Sequence, residues 1–156
     1  WDRHFTVRFK VLFNAPGAVN QYLISQRIGF NFGSLVVVYV GAEGRIAALL
    51  DGNTADASFL VDIRGTQSIV ADTWYDYELT RAGAVFTHRI DGVLIATVTA
   101  TTVPLANAGV DLHIGALSDG TNNFLGYLKD LQILKGAVMH TADFIPPQDP
   151  PCDRAQ

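Results

Sequence analysis

Period-two alternation at the start of this chain constrains its fold more than any other feature. Phe5, Val7, Phe9, Val11 and Phe13 occupy every second position and alternate with Thr6, Arg8, Lys10 and Leu12. Successive side chains of a strand point to opposite faces, so this spacing lines one face of a sheet with large apolar groups. A helix would scatter the same residues around its circumference. Residues 5–13 therefore read as a strand whose inner face helps to fill a core.

Further strand signals follow at short intervals, separated by turn residues. They are Tyr22–Arg27, Leu35–Val40, Gly44–Leu50, Ser58–Arg64, Asp72–Arg81, Val85–Ile90, Val93–Val98, Val110–Ile114 and Phe124–Leu134. Leu35–Val40 is a continuous apolar run, which predicts a strand covered on both faces. Asp91-Gly92 between two β-rich runs predicts a two-residue hairpin, because a type I′ turn needs positive φ at both central positions. Leu128 and Leu131 fall out of phase, and a β-bulge near Asp130 reconciles them. No segment carries a sustained helical period; a single turn around 136–142 is the one exception. About ten short strands predict an all-β antiparallel sandwich, a jelly roll, over residues 1–147. Pro146, Pro147, Pro150 and Pro151 exclude the end of the chain from a sheet interior, so 148–156 reads as a Pro-rich tail serving as linker or extended strap.

Composition narrows the function classes. The chain has 156 residues, 49% of them hydrophobic and 17% charged, which suits one domain with a substantial core. Its net charge of −4 and singly scattered Lys and Arg argue against a nucleic-acid partner or an anionic membrane surface. No apolar run reaches the roughly 20 residues of a bilayer span. The start at Trp1 reads as a processed, trimmed or excised segment of something longer. Cys152 stands alone, so it offers no internal disulfide; it is an incidental thiol or an interchain bridge in a homo-oligomer.

The order of segments carries a resemblance. Phe5-Thr-Val-Arg-Phe9, the Trp-led Asp72–Arg81, the Asp91-Gly92 hairpin, Leu112-His-Ile-Gly115 and Asn123-Phe-Leu-Gly-Tyr-Leu-Lys-Asp130 follow one another. This succession resembles the laminin-G-like branch of the concanavalin A-like lectin and glucanase superfamily, over residues 5 to about 147. The ending Ile133–Pro147 is similar to a "K-G-V-A-R-Y-T-x-N-F-x-P-P" pattern found in domains of bacteriophage tail and surface proteins. It departs from that pattern at Met139-His140 and at Asp143. The resemblance implies a non-enzymatic binding or adhesion module on a phage particle, at the virion surface or tail, or otherwise extracellular. Its partners would be a host-surface glycan or receptor and other virion proteins. The alternative is a decoration or cementing domain acting through protein contacts. The family pattern also implies that Trp74 is core.

Candidate chemistry is sparse. Glucanases of this fold carry a Glu-x-Asp-x-(x)-Glu cluster, and retaining hydrolysis needs two carboxyl groups roughly 5 Å apart. Here the glutamates are Glu43 and Glu78 alone. Asp76 and Glu78 share a strand face, which reads as a solvated polar face. His88 and His113 would form a metal pair only on adjacent strands; otherwise each is outward or hydrogen-bonded. No nucleophile elbow or phosphate-binding glycine loop is present, so the chain is read as no enzyme. Two loops are rich in oxygen donors, Asp51-Gly-Asn53-Thr-Ala-Asp56 and Ser118-Asp119-Gly-Thr-Asn122-Asn123. Hard cations take such ligands, and the resemblance raises calcium as a cofactor, with Asp119 and Asn122 as its metal ligands. The same groups, Asp51, Asn53, Asp56, Asp119, Asn122 and Asn123, are the candidate ligand-binding residues; as turn formers they equally suit plain loops. Phe30, Phe32 and an outward Tyr127 are the remaining aromatic candidates for a sugar platform.

Overall fold

The computed structural model describes residues 3–28, 32–51, 61–100 and 109–147. Ten strands form two five-stranded antiparallel sheets. They are β1 (His4–Phe13), β2 (Gln21–Ile28), β3 (Phe32–Val40), β4 (Arg45–Leu50), β5 (Val61–Arg64), β6 (Trp74–Ala82), β7 (Val85–Ile90), β8 (Val93–Thr99), β9 (His113–Ile114) and β10 (Gly126–Lys135). One sheet runs β10-β1-β6-β7-β8 and the other β5-β4-β3-β2-β9. The chain thus crosses between sheets four times, and β1 becomes an inner strand between β6 and β10, both distant in sequence. No helix occurs among the described residues, and 136–142 is irregular.

The alternation in β1 does what its spacing predicts. Phe5, Val7, Phe9, Val11 and Phe13 are buried between the sheets. Phe9 stacks on Tyr77 with centroids 4.7 Å apart, and Phe13 meets Phe124 edge-on at 5.1 Å. Aromatic pairs of this geometry add about 0.5–1.5 kcal/mol beyond area burial. The opposite sheet supplies Leu23, Ile24, Leu35, Val37, Tyr39, Ile46, Ala48 and Leu50. The outer face of β3 is covered as well: Val36 and Val38 form a second cluster with Tyr22, Ala47 and Leu117. Leu117 belongs to the loop after β9, which folds over this face and accounts for the unbroken apolar run.

Two local predictions hold in detail. Asp91 and Gly92 have φ of 54° and 77°, the left-handed pair of a type I′ turn. In β10, Arg8 faces Gln132 while Lys10 faces Lys129, so Asp130 and Leu131 together oppose Phe9. Asp130 has φ of 55°. This bulge turns both Leu128 and Leu131 toward the core and leaves Tyr127, Lys129 and Gln132 on the outer face.

Four expectations need correction. The predicted Val110–Ile114 strand contracts to His113–Ile114, because β9 finds only Ile24 and Ser25 of β2 to pair with. Trp74 is 42% exposed rather than core; it begins β6 on the outer face, opposite Leu12. Asp76 and Glu78 are not on a solvated face but buried, for a reason given below. His88 and His113 lie in different sheets, so they form no pair. His88 points into the core, 0% exposed, and neither ring nitrogen has a hydrogen-bond partner.

Candidate glycan-binding cleft

The outer face of the β10-β1-β6-β7-β8 sheet is polar and mostly covered. Arg8 of β1 donates to both carboxylate oxygens of Asp76 on β6, from Nε at 3.0 Å and from a terminal nitrogen at 2.8 Å. This bidentate pair holds the Arg8 guanidinium above its ordinary pKa. Glu78, fully buried, faces Arg89 at 3.8 Å and His140 Nδ1 at 2.6 Å. His140 stacks on Phe144, whose ring also lies under Arg8 at 5.0 Å. Thr6 Oγ1 takes the Met139 amide at 2.9 Å and donates to Ala137 O at 3.2 Å. Residues 137–147 are thus a strap laid across the charged face, and this strap buries Asp76 and Glu78. With Glu78 sealed and ion-paired and Asp76 held by Arg8, neither carboxylate is placed to flank a glycosidic bond.

The strap's far end shapes a cleft. Asp143 Oδ1 accepts from Leu94 N, Phe144 N donates to Gly92 O, and Lys10 Nζ donates to Pro147 O at 3.2 Å. Between this end and the start of β6 lies a depression of about 490 Å³ lined by Lys10, Trp74, Tyr75, Asp76, Asp91, Pro146 and Pro147. Its size suits a small ligand or part of a longer one. Asp91 closes one side: its Oδ1 accepts from Asp76 N at 2.8 Å, and its amide donates to Asp76 O. Trp74 supplies an exposed indole, with Lys129 Nζ over its ring at 4.5 Å, a cation–π contact. An aromatic surface beside ammonium, carboxylate and carbonyl groups is suited to a sugar, which offers an apolar ring face and a polar rim of hydroxyls.

The loop candidates are placed apart from this cleft and from one another. Asp119 is exposed, and its Oδ1 accepts from both Thr121 N at 2.9 Å and Thr121 Oγ1 at 2.7 Å. Those bonds favour the carboxylate and lower its pKa. Asn122, with φ of 52°, gives its carbonyl to Tyr22 N, and Asn123 bridges the same residue. Asp51 is buried and contributes a favourable charge to Arg27, whose pKa is lowered chiefly by burial and raised in part by Tyr22 and Asp51. It follows Leu50, which is aligned through Leu35 with Gln26, whereas the 118–123 loop joins β2 at Tyr22. Four residues of strand, roughly 13 Å, separate the two. Asn53, Asp56, Phe30, the Phe32 side chain and Cys152 lie outside what the structure describes.

Calcium needs six to eight oxygens. The 118–123 loop brings one carboxylate, already engaged by Thr121, and the described residues hold no cluster of three His, Cys, Asp or Glu side chains. Asp119 and Asn122 alone do not fit the ion, and no part of the site's chemistry is assigned to it.

The residue missed from sequence is Trp74. Its position could have been read from phase, since Tyr75, Tyr77 and Leu79 take the inward positions of β6 and leave Trp74 with Asp76 and Glu78 outside.

Fold and cleft together describe a β-sandwich domain with a surface recognition site. The chain belongs to the Laminin_G_3 family of the concanavalin A-like lectin/glucanases superfamily, whose model matches residues 2–141. Among solved structures it is similar to a heptameric SAP-like pentraxin from Limulus polyphemus, with a TM-score of 0.62 and 20% identity over 85% of this chain and 64% of that one. A putative carbohydrate binding protein from Bacteroides ovatus gives a TM-score of 0.63 and 14% identity over 84% of this chain and 37% of that one. The carbohydrate binding module CBM66 from Bacillus subtilis gives 0.55 and 11% over 85% and 75%. The chain therefore spans less than two thirds of the first two. No curated protein matches it.

Proposed function

We propose that this domain is a non-enzymatic glycan-binding module, that the Trp74 cleft is its binding site, and that it serves as an adhesin on a phage particle contacting a host-surface glycan. The observation that carries the site is the exposed Trp74 indole at the mouth of a cleft whose polar groups, Lys10, Asp91 and the Pro147 carbonyl region, converge on it. Similarity in fold to two carbohydrate-binding proteins supports the ligand class. The burial of Glu78 and the pairing of Asp76 with Arg8 support a binding role over hydrolysis. The Lys135–Pro147 ending supports the phage attribution and a virion-surface or tail location. Virion proteins would be its neighbours there.

The test is binding of the purified domain, and of its Trp74→Ala variant, to a panel of glycans and bacterial polysaccharides, with calcium and with chelator. The expected result is a wild-type ligand that the variant loses. Binding that persists in chelator places recognition in the cleft alone; binding that vanishes returns attention to Asp119, Asn122 and the undescribed 52–60 segment.

A second reading, a decoration or cementing domain, is favoured by the apolar side chains exposed at the same end of the sandwich, Val70 at 60% and Leu125 at 55%. Tight binding to a capsid protein or a stable homo-oligomer without glycan affinity would support it.

A further inference from the structure

The strand register sets the cleft residues in two parallel rows. Leu12 of β1 faces Tyr127 on β10 and Trp74 on β6, so the first row is Tyr127, Leu12, Trp74. Lys10 faces Lys129 and Asp76 in the same way, which makes the second row Lys129, Lys10, Asp76. All six belong to the outward phase of their strands. Neighbouring strands lie about 4.8 Å apart, so Trp74 and Tyr127 are about 10 Å apart across the sheet, and the rows are about 7 Å apart along it. Tyr127 is 62% exposed and Trp74 42%; Leu12 between them is half-buried. The first row is therefore a groove floor with an aromatic ring at either end.

The second row concentrates positive charge. Two of the chain's three lysines face each other directly there. Like charges opposed on neighbouring strands destabilise a sheet, so the pair opposes the fold it sits in. The row's one carboxylate, Asp76, is already held by Arg8 through two hydrogen bonds. The ammonium groups lie toward the aromatic row: Lys129 Nζ is over Trp74, and Lys10 lines the same cleft. An anion placed between the rows would relieve the repulsion.

From this arrangement we infer that the ligand is a linear glycan bearing anionic substituents, laid across the strands. One ring rests on Trp74, the next but one rests on Tyr127, and the negative groups meet Lys10 and Lys129. The spacing of the aromatics matches alternate rings of an extended chain better than a single sugar, which would reach only one of them. Lysine is a compact point charge without the planar fork of arginine, so the substituent is selected by charge, and carboxylate, sulfate and phosphate share the required chemistry. This inference rests on the glycan-binding reading of the same cleft.

The experiment uses size-graded oligomers of galacturonate, hyaluronate and chondroitin sulfate, and a phosphodiester-linked polysaccharide, each beside a neutral counterpart made by carboxyl reduction, desulfation or dephosphorylation. Calorimetry is run at low and high salt on the wild type, Trp74→Ala, Tyr127→Ala and Lys10→Gln/Lys129→Gln. The substituted side chains lie on the outer face, and circular dichroism checks that each variant is folded. At least one acidic oligomer is expected to bind on the order of tenfold more tightly than its neutral counterpart, a preference that added salt and the double lysine variant both erase. Affinity is expected to rise until the oligomer has three units, and Tyr127→Ala to remove that gain. Equal binding of acidic and neutral members, or length dependence untouched by Tyr127→Ala, overturns this inference while loss of binding in Trp74→Ala keeps the cleft. No binding by any oligomer, acidic or neutral, overturns both.

Discussion

His88 carries its imidazole into the sandwich interior, 0% exposed, beside the Tyr77 ring at 4.9 Å and with neither nitrogen hydrogen-bonded. Burial disfavours the charged form and pulls its pKa from 6.5 down to about 4. The unfolded chain therefore binds a proton between pH 6.5 and 4 that the folded domain does not, and stability falls as pH falls through that window. Above pH 6.5 both states are neutral and nothing is lost; below about 4 both are protonated and the loss is constant. The full difference, 2.5 pH units at 1.36 kcal/mol each, is about 3 kcal/mol. Of this, about 2.4 kcal/mol is lost between pH 7 and pH 4.5, a large share of a typical 5–15 kcal/mol. The assay is urea unfolding of the wild type and His88→Leu at both pH values. Other groups titrate in both proteins, so the comparison of slopes isolates His88. The variant, which also removes two unpartnered nitrogens from the core, should lose about 2.4 kcal/mol less on acidification. Equal losses in the two proteins would refute the assignment of a buried neutral His88.

Two further predictions concern the strap and the face beneath it. Asp76→Ala leaves the half-buried Arg8 guanidinium without its bidentate partner and should destabilise the domain by about 3 kcal/mol in urea unfolding; a change under 0.5 kcal/mol would mean the pair is solvated after all. Gly92→Ala puts a Cβ 1.8 Å from Phe144 O at a φ of 77°. That should cost at least ~2 kcal/mol and release the strap, seen as new protease cleavage near Phe144; unchanged cleavage would show that the hairpin does not anchor it.

Much of the fold was legible because strands write their own period. The inward series of β1, the Asp91-Gly92 turn and the Asp130 bulge each depend on residues adjacent in sequence, so phase and turn chemistry suffice to find them. The site was less legible. Whether an outward row of Arg8, Asp76, Glu78 and Arg89 meets water depends on what crosses it, and the crossing segment lies some 60 residues beyond β6. The His140-Phe144 pair within an otherwise irregular ending was the available hint. Trp74 was hidden by a habit of composition, that indoles belong inside, although its phase placed it outside. The loop residues Asp119, Asn122 and Asn123 were conspicuous in sequence because they make a tight turn over Leu117; much of their bonding capacity is spent within that turn and on β2.

The most direct test of the central claim is the affinity of Trp74→Ala for whichever glycan the wild-type domain binds. The indole is a largely exposed platform, so its loss should leave the melting temperature nearly unchanged while affinity falls at least about 30-fold, the scale of a central aromatic contact. A variant that melts normally and binds as tightly as the wild type would contradict the account and move recognition elsewhere on the sandwich.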